Sequence, residues 1–101
     1  MRLSRAQVST LLDLLNDESN YTNIATCHFT RHLYVFRDSR GEEQASLGVS
    51  NDCATLVSTP FIPAQERGGG NIVGKKLRDG LARLCNELHL DACPPLTPDP
   101  E

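Results

Sequence analysis

The residues of this 101-residue chain best suited to chemistry are its four cysteines, Cys27, Cys53, Cys85 and Cys93. Their number is even, and no two form a Cys-x-x-Cys pair. In a short chain with a thin core, this pattern favours two disulfides and an oxidising compartment. The alternative is four buried thiols in a cytosolic protein, because free cysteine packs as a small hydrophobe. Four cysteines permit three pairings, and sequence alone does not choose among them. The favoured set is Cys27–Cys53 with Cys85–Cys93. The first would clamp two segments far apart in the chain. The second requires the chain to turn back after Leu90, so that the Cα atoms come within about 5.5–6 Å.

A metal centre is the rival chemistry. Cys85, His89 and Cys93 stand at i, i+4 and i+8, and Cys27, His28, His32 and Cys53 offer a second set of zinc-type ligands. However, Pro94 and Pro95 end any helix at Cys93, and consecutive strand residues such as Cys27 and His28 point to opposite faces. No metal is expected, and no cofactor is implied.

Gly69-Gly70-Asn71-Ile72-Val73-Gly74-Lys75 matches the opening of a phosphate-binding loop, G-x-x-x-x-G-K. Lys76 stands where the motif needs a hydroxyl for magnesium, and Pro60 and Pro63 precede it instead of a buried strand. A nucleotide-hydrolysing site is therefore rejected. A milder reading keeps Arg67, Lys75 and Lys76 as candidate anion-binding residues, since two lysines in a first helical turn oppose the helix dipole and a bound anion would relieve them. No nucleophile elbow of the G-x-S-x-G kind occurs, and no carboxylate pair is marked out for acid–base work. Enzyme activity is not expected. Asn20-Tyr21-Thr22 is a glycosylation triplet, meaningful only in a eukaryotic secretory setting.

These residues must be positioned by a small scaffold. The length fits one domain, residues 1–93, followed by a proline-rich acidic tail, residues 94–101, expected to be disordered. Apolar residues make up 39% and there is no Trp, so the core must be aliphatic. A net charge of −3 argues against nonspecific nucleic-acid binding. No apolar run reaches the roughly eighteen residues of a membrane span. MRLSRAQ leads into an amphipathic segment and not the apolar stretch of a signal peptide.

Ser4 and Gln7 have capping-box spacing, and Val8, Leu11, Leu12 and Leu15 follow on one stripe, predicting a helix over about residues 5–16. Residues 21–29 read as a first strand. Leu33-Tyr34-Val35-Phe36 is apolar on both faces and suits a central strand. Asp38-Ser39-Arg40-Gly41 is a hairpin turn. Ala45, Leu47 and Val49 then alternate inward, against Gln44, Ser46, Gly48 and Ser50. Ala54 to Ser58 can return as another strand. Pro60 to Asn71 reads as a long surface loop, with Phe61 and Ile62 tucked against the core. Asn71 is then expected to cap a second helix carrying Val73, Leu77, Leu81, Leu84 and Leu88, with Gly80 permitting close approach to the sheet. The expected fold is α+β in two layers: an antiparallel sheet of three to four strands with an N-terminal and a C-terminal helix on one face.

The stretch from Cys27 to Asp38 with Gly41, together with Cys53, Ile62-Pro63-Ala64-Gln65 and Leu84-Cys85-Asn86-Glu87-Leu88, is similar to small uncharacterised bacterial exported or lipoprotein-like domains. The resemblance covers roughly residues 22 to 93 and implies export and paired cysteines, with no activity attached. The expected function is a disulfide-stabilised extracytoplasmic domain (periplasmic, lipoprotein or secreted) that binds another protein through the loop at 60–70 or a sheet edge. The alternative is a small cytosolic regulator or inhibitor, phage- or toxin-associated, with free thiols.

Overall fold

A computed structural model describes residues 2–50 and 53–94. The expected tail lies almost wholly outside them. The elements in order are α1 (Arg5–Leu15), a 3-10 turn (Glu18–Asn20), β1 (Tyr21–Thr22), β2 (His32–Arg37), β3 (Glu43–Ser50), β4 (Thr55–Thr59), α2 (Pro63–Gly68), β5 (Ile72–Val73) and α3 (Lys75–Glu87). The five strands form one antiparallel sheet in the order β1-β5-β4-β3-β2. The α+β class and the antiparallel sheet agree with the sequence reading, but the described residues hold five strands and three α-helices.

Two local signals act as written in the sequence. Ser4 caps α1 through a complete capping box: Gln7 N–H donates to Ser4 Oγ at 3.1 Å and Ser4 N–H donates to Gln7 Oε1 at 2.8 Å. Ser4→Ala is expected to cost about 1 kcal/mol, read as a lower urea midpoint with unchanged slope. In the β2–β3 hairpin, Gly41 takes φ +84 and the register shifts between Phe36 and Arg37. Asp38 Oδ1 accepts from the N–H groups of Arg40 and Glu42, holding the turn from inside.

Several expectations change once the strands find partners. β1 is two residues long, because residues 23–31 leave the sheet. β2 is an edge strand and not a central one: β4 takes the far side of β3, and among the described residues no strand is added beyond β2. The two-sided apolar pattern of β2 therefore leaves Leu33 exposed. The expected loop at 60–70 contains α2, opened by Pro63 at its first position and closed by Gly69 at φ +87. Its Gln65 is buried and donates from Nε2 to Leu56 O at 2.8 Å. Ile62 packs against the core, whereas Phe61 stays exposed.

Asn71 does not cap α3. The pairing of Ile72–Val73 with β1 and β4 delays the helix to Lys75, with Gly74 as N-cap. Asn71 instead holds Ala25 from both sides, accepting its N–H at 2.8 Å and donating to its carbonyl at 3.0 Å. Gly80 admits Leu14 of α1, not the sheet, since a Cβ there would run into Leu14 Cδ1.

Leu11 and Leu15 of α1 and Leu77, Leu81 and Leu84 of α3 pack with Leu47, Val49, Leu56, Val73 and Tyr21 in one aliphatic core. Asn20 is buried and donates from Nδ2 to Leu14 O, so its glycosylation triplet is closed in the folded chain. Tyr21 donates its hydroxyl to Leu15 O. Burial first, and then the charge of Asp17, push the Tyr21 phenol up to about 12. A folded-state pKa above the unfolded value of about 10 means the protonated phenol favours folding. That contribution is whole below about pH 10 and is lost as pH rises through about 12. Burial also raises Tyr34. Tyr21→Phe is therefore expected to weaken, without abolishing, the loss of stability between about pH 10 and 12, measured by rapid urea titrations at each pH.

Candidate functional site

The four cysteines form the two favoured bridges, Cys27–Cys53 and Cys85–Cys93, each with its Cα atoms 5.7 Å apart. Among the described residues no cysteine is free. With every sulfur in a disulfide, none of the four is available as a thiolate ligand.

Cys27–Cys53 fastens a strap. Residues 23–31 cross the outer face of the sheet, the face away from α1 and α3. Thr55 donates its hydroxyl to Cys27 O at 3.1 Å, so the His28 Nδ1–H is the donor in the 2.7 Å contact with Thr55 Oγ1. His28 Nε2 meets Thr30 Oγ1 at 2.8 Å, and Phe29 N–H donates to Ser50 Oγ at 3.2 Å. These polar contacts explain why Gly48, Ser50 and Thr55 are buried on a face expected to be open. Gly48 must be small, because a Cβ there would stand 2.9 Å from Thr30 Oγ1.

The strap covers only part of that face. Leu33 on β2 and Val57 on β4 flank Gly48 in register and are 62% and 46% exposed, and Phe29 on the strap itself is 68% exposed. Arg31 lies over the Phe29 ring, 5.8 Å from its centroid. The open edge of β2 adjoins these side chains.

Cys85–Cys93 lies at the start of β2, on the face packed against α3. Cys85 sits in the core on α3, and Cys93 is half-buried after the helix end. His32, the first residue of β2, places Nε2 3.7 Å from Cys85 Sγ and 2.7 Å from Asp91 O. Sequence reasoning placed His32 only in a rejected metal set. His32 and Cys85 are 53 positions apart, so the chain offers no local signal for this contact.

The candidate anion-binding cations each face a carboxylate. Arg67 pairs with Glu18 at 2.8 Å and Lys75 with Asp79 at 2.8 Å. Asp17 is held below the usual carboxylate range by the hydroxyl and then the N–H of Ser19, with the charge of Lys76 adding to them. An anion would have to compete with these partners. The Gly69–Lys75 stretch contains β5, so it is not a phosphate-cradling loop.

A groove of about 770 Å³ runs between α1 and α3 over Leu11, Leu14 and Leu84, rimmed by Lys76, Arg83 and Glu87. No histidine, cysteine or serine lines it. Among the described residues no helix is long and apolar enough to cross a membrane. No family model, no curated protein and no solved structure matches this chain.

Proposed function

We propose that this chain is a non-enzymatic, disulfide-stabilised domain that acts outside the cytoplasm by binding another protein. The observation carrying this reading is the apolar outer surface by the edge of β2, where Leu33, Val57 and Phe29 stand exposed and, among the described residues, β2 is paired on one side only. Edge strands of soluble proteins are usually guarded by lysine, proline or a covering element, and the middle of β2, Leu33-Tyr34-Val35-Phe36, has neither residue. Such an edge suits an extended segment of a partner, which would take main-chain hydrogen bonds from β2 and set an apolar side chain beside Leu33. The two bridges support an oxidising compartment, periplasmic, lipoprotein-anchored or secreted. The similarity to exported bacterial domains points the same way.

A photo-crosslinker at Leu33 in the host of origin is expected to trap one defined protein. The same group at Arg78, exposed on α3, should trap none. Equal recovery from both positions overturns the proposal. For the compartment, protein isolated without reductant should be four hydrogens lighter than its reduced form, one pair for each bridge. Equal masses would remove the oxidising address.

A further inference from the structure

We propose that Cys85–Cys93 is a thiol–disulfide exchange site, entered at Cys93 and assisted by His32. The proposal does not rest on the binding surface, although His32 adjoins Leu33 in the chain.

The two sulfurs of Cys85–Cys93 are unequal. Cys85 is 1% exposed and Cys93 is half-buried at the end of the described chain. An external thiolate must reach the sulfur it attacks, so Cys93 Sγ is the point of entry and Cys85 Sγ the leaving atom. A thiolate formed in an apolar core without compensation is costly. Here it forms beside His32. The nearest partner of His32 Nε2 is Asp91 O, a pure acceptor at 2.7 Å, so Nε2 carries the hydrogen. That N–H lies within reach of Cys85 Sγ, at 3.7 Å. Asp91 belongs to the short loop that the bridge itself closes. Opening the bridge frees this loop, and the His32 N–H can then turn from Asp91 O to the new thiolate. On the other side, Leu90 O stands 3.1 Å from Cys93 Sγ and can accept from the thiol once it forms.

The chemistry balances with a dithiol as co-reactant. Its thiolate bonds to Cys93 Sγ while the Cys85–Cys93 bond breaks, leaving the electron pair on Cys85 Sγ. The His32 N–H stabilises this charge until a proton arrives from solvent. The second thiolate of the partner then displaces Cys93 Sγ, which also takes up a proton. The partner dithiol is oxidised to its disulfide and the protein bridge is reduced by two electrons. Reduction also releases Asp91 from the first residue of β2, coupling redox state to the end of that strand.

Cys27–Cys53 is the more accessible bridge, with Cys27 exposed and Cys53 half-buried, but among the described residues no imidazole N–H stands against its sulfurs. His28 is its neighbour in sequence, but both of its ring nitrogens are engaged by Thr55 and Thr30.

The test follows both bridges in the full chain during partial reduction with dithiothreitol, using alkylation and peptide mass spectrometry, so that one bridge is the internal control for the other. The rate at which Cys85–Cys93 opens is read against that of Cys27–Cys53 in the same molecule. His32→Phe should slow the opening of Cys85–Cys93 about tenfold, as expected for loss of a hydrogen bond to a charged group, and leave Cys27–Cys53 unchanged. His32→Gln, which keeps an N–H donor, should recover part of the rate. Entry is tested separately with glutathione disulfide. The Cys93 thiol of Cys85→Ser should be modified in the native state, and the Cys85 thiol of Cys93→Ser only after denaturation. Equal rates in His32→Phe and the parent, or native modification at Cys85, would each overturn the proposal.

Discussion

Replacing Cys27 and Cys53 together by serine is expected to destabilise the domain by about 3–4 kcal/mol, against about 2–3 kcal/mol for the corresponding change at Cys85 and Cys93. Both bridges restrict the unfolded chain, and the restriction grows with the loop closed: 26 positions for the first and 8 for the second. The first also holds residues 23–31 over the outer face. Without it, the contacts of His28 with Thr55 and of Phe29 with Ser50 must be kept by hydrogen bonds alone, and Ser50 and Thr55 are poorly placed to lose their cover. Urea denaturation of the two double variants checks the order. A larger loss at Cys85 and Cys93 would show that packing around α3, and not loop length, governs the effect.

The second large effect is expected at Leu77→Ala. Leu77 is 0% exposed and belongs to the central cluster with Leu15, Leu47 and Leu56. Truncating a buried leucine costs about 2–5 kcal/mol, depending on how far the site collapses. Collapse is restricted here because the start of α3 is pinned: Gly74 N–H donates to Asn20 O at 2.7 Å, and β5 immediately before it is paired on both sides. The loss should therefore fall in the upper half of that range. Leu12→Ala, at a position 41% exposed on α1, should cost under about 1 kcal/mol. Similar urea midpoints for the two variants would contradict the assignment of Leu77 to the core.

Much of the frame was legible because its signals are local. The capping box of α1, the Asp38–Gly41 hairpin and the alternation of β3 each need only a few neighbouring residues. The same was true of α2, although it was read as loop. Pro63 and Gly69 stand at the start and stop positions of a helix, but six residues are too few to display a period. β5 was hidden for a different reason. Two residues carry no pattern, and Ile72 and Val73 fit a helix until β1 and β4 claim them.

The sequence by itself determined the aliphatic α+β core and the even set of cysteines, because helix stripes, strand alternation and turn residues act over a few positions, whereas the pairing of the cysteines came from the folded chain. The tertiary structure alone decided that β2 lies at an edge, that residues 23–31 form a strap and that His32 meets Cys85. Strand order and cross-chain contacts depend on which distant segments win each pairing. That competition is settled by the burial and hydrogen bonds of the whole molecule and leaves no local trace in the chain.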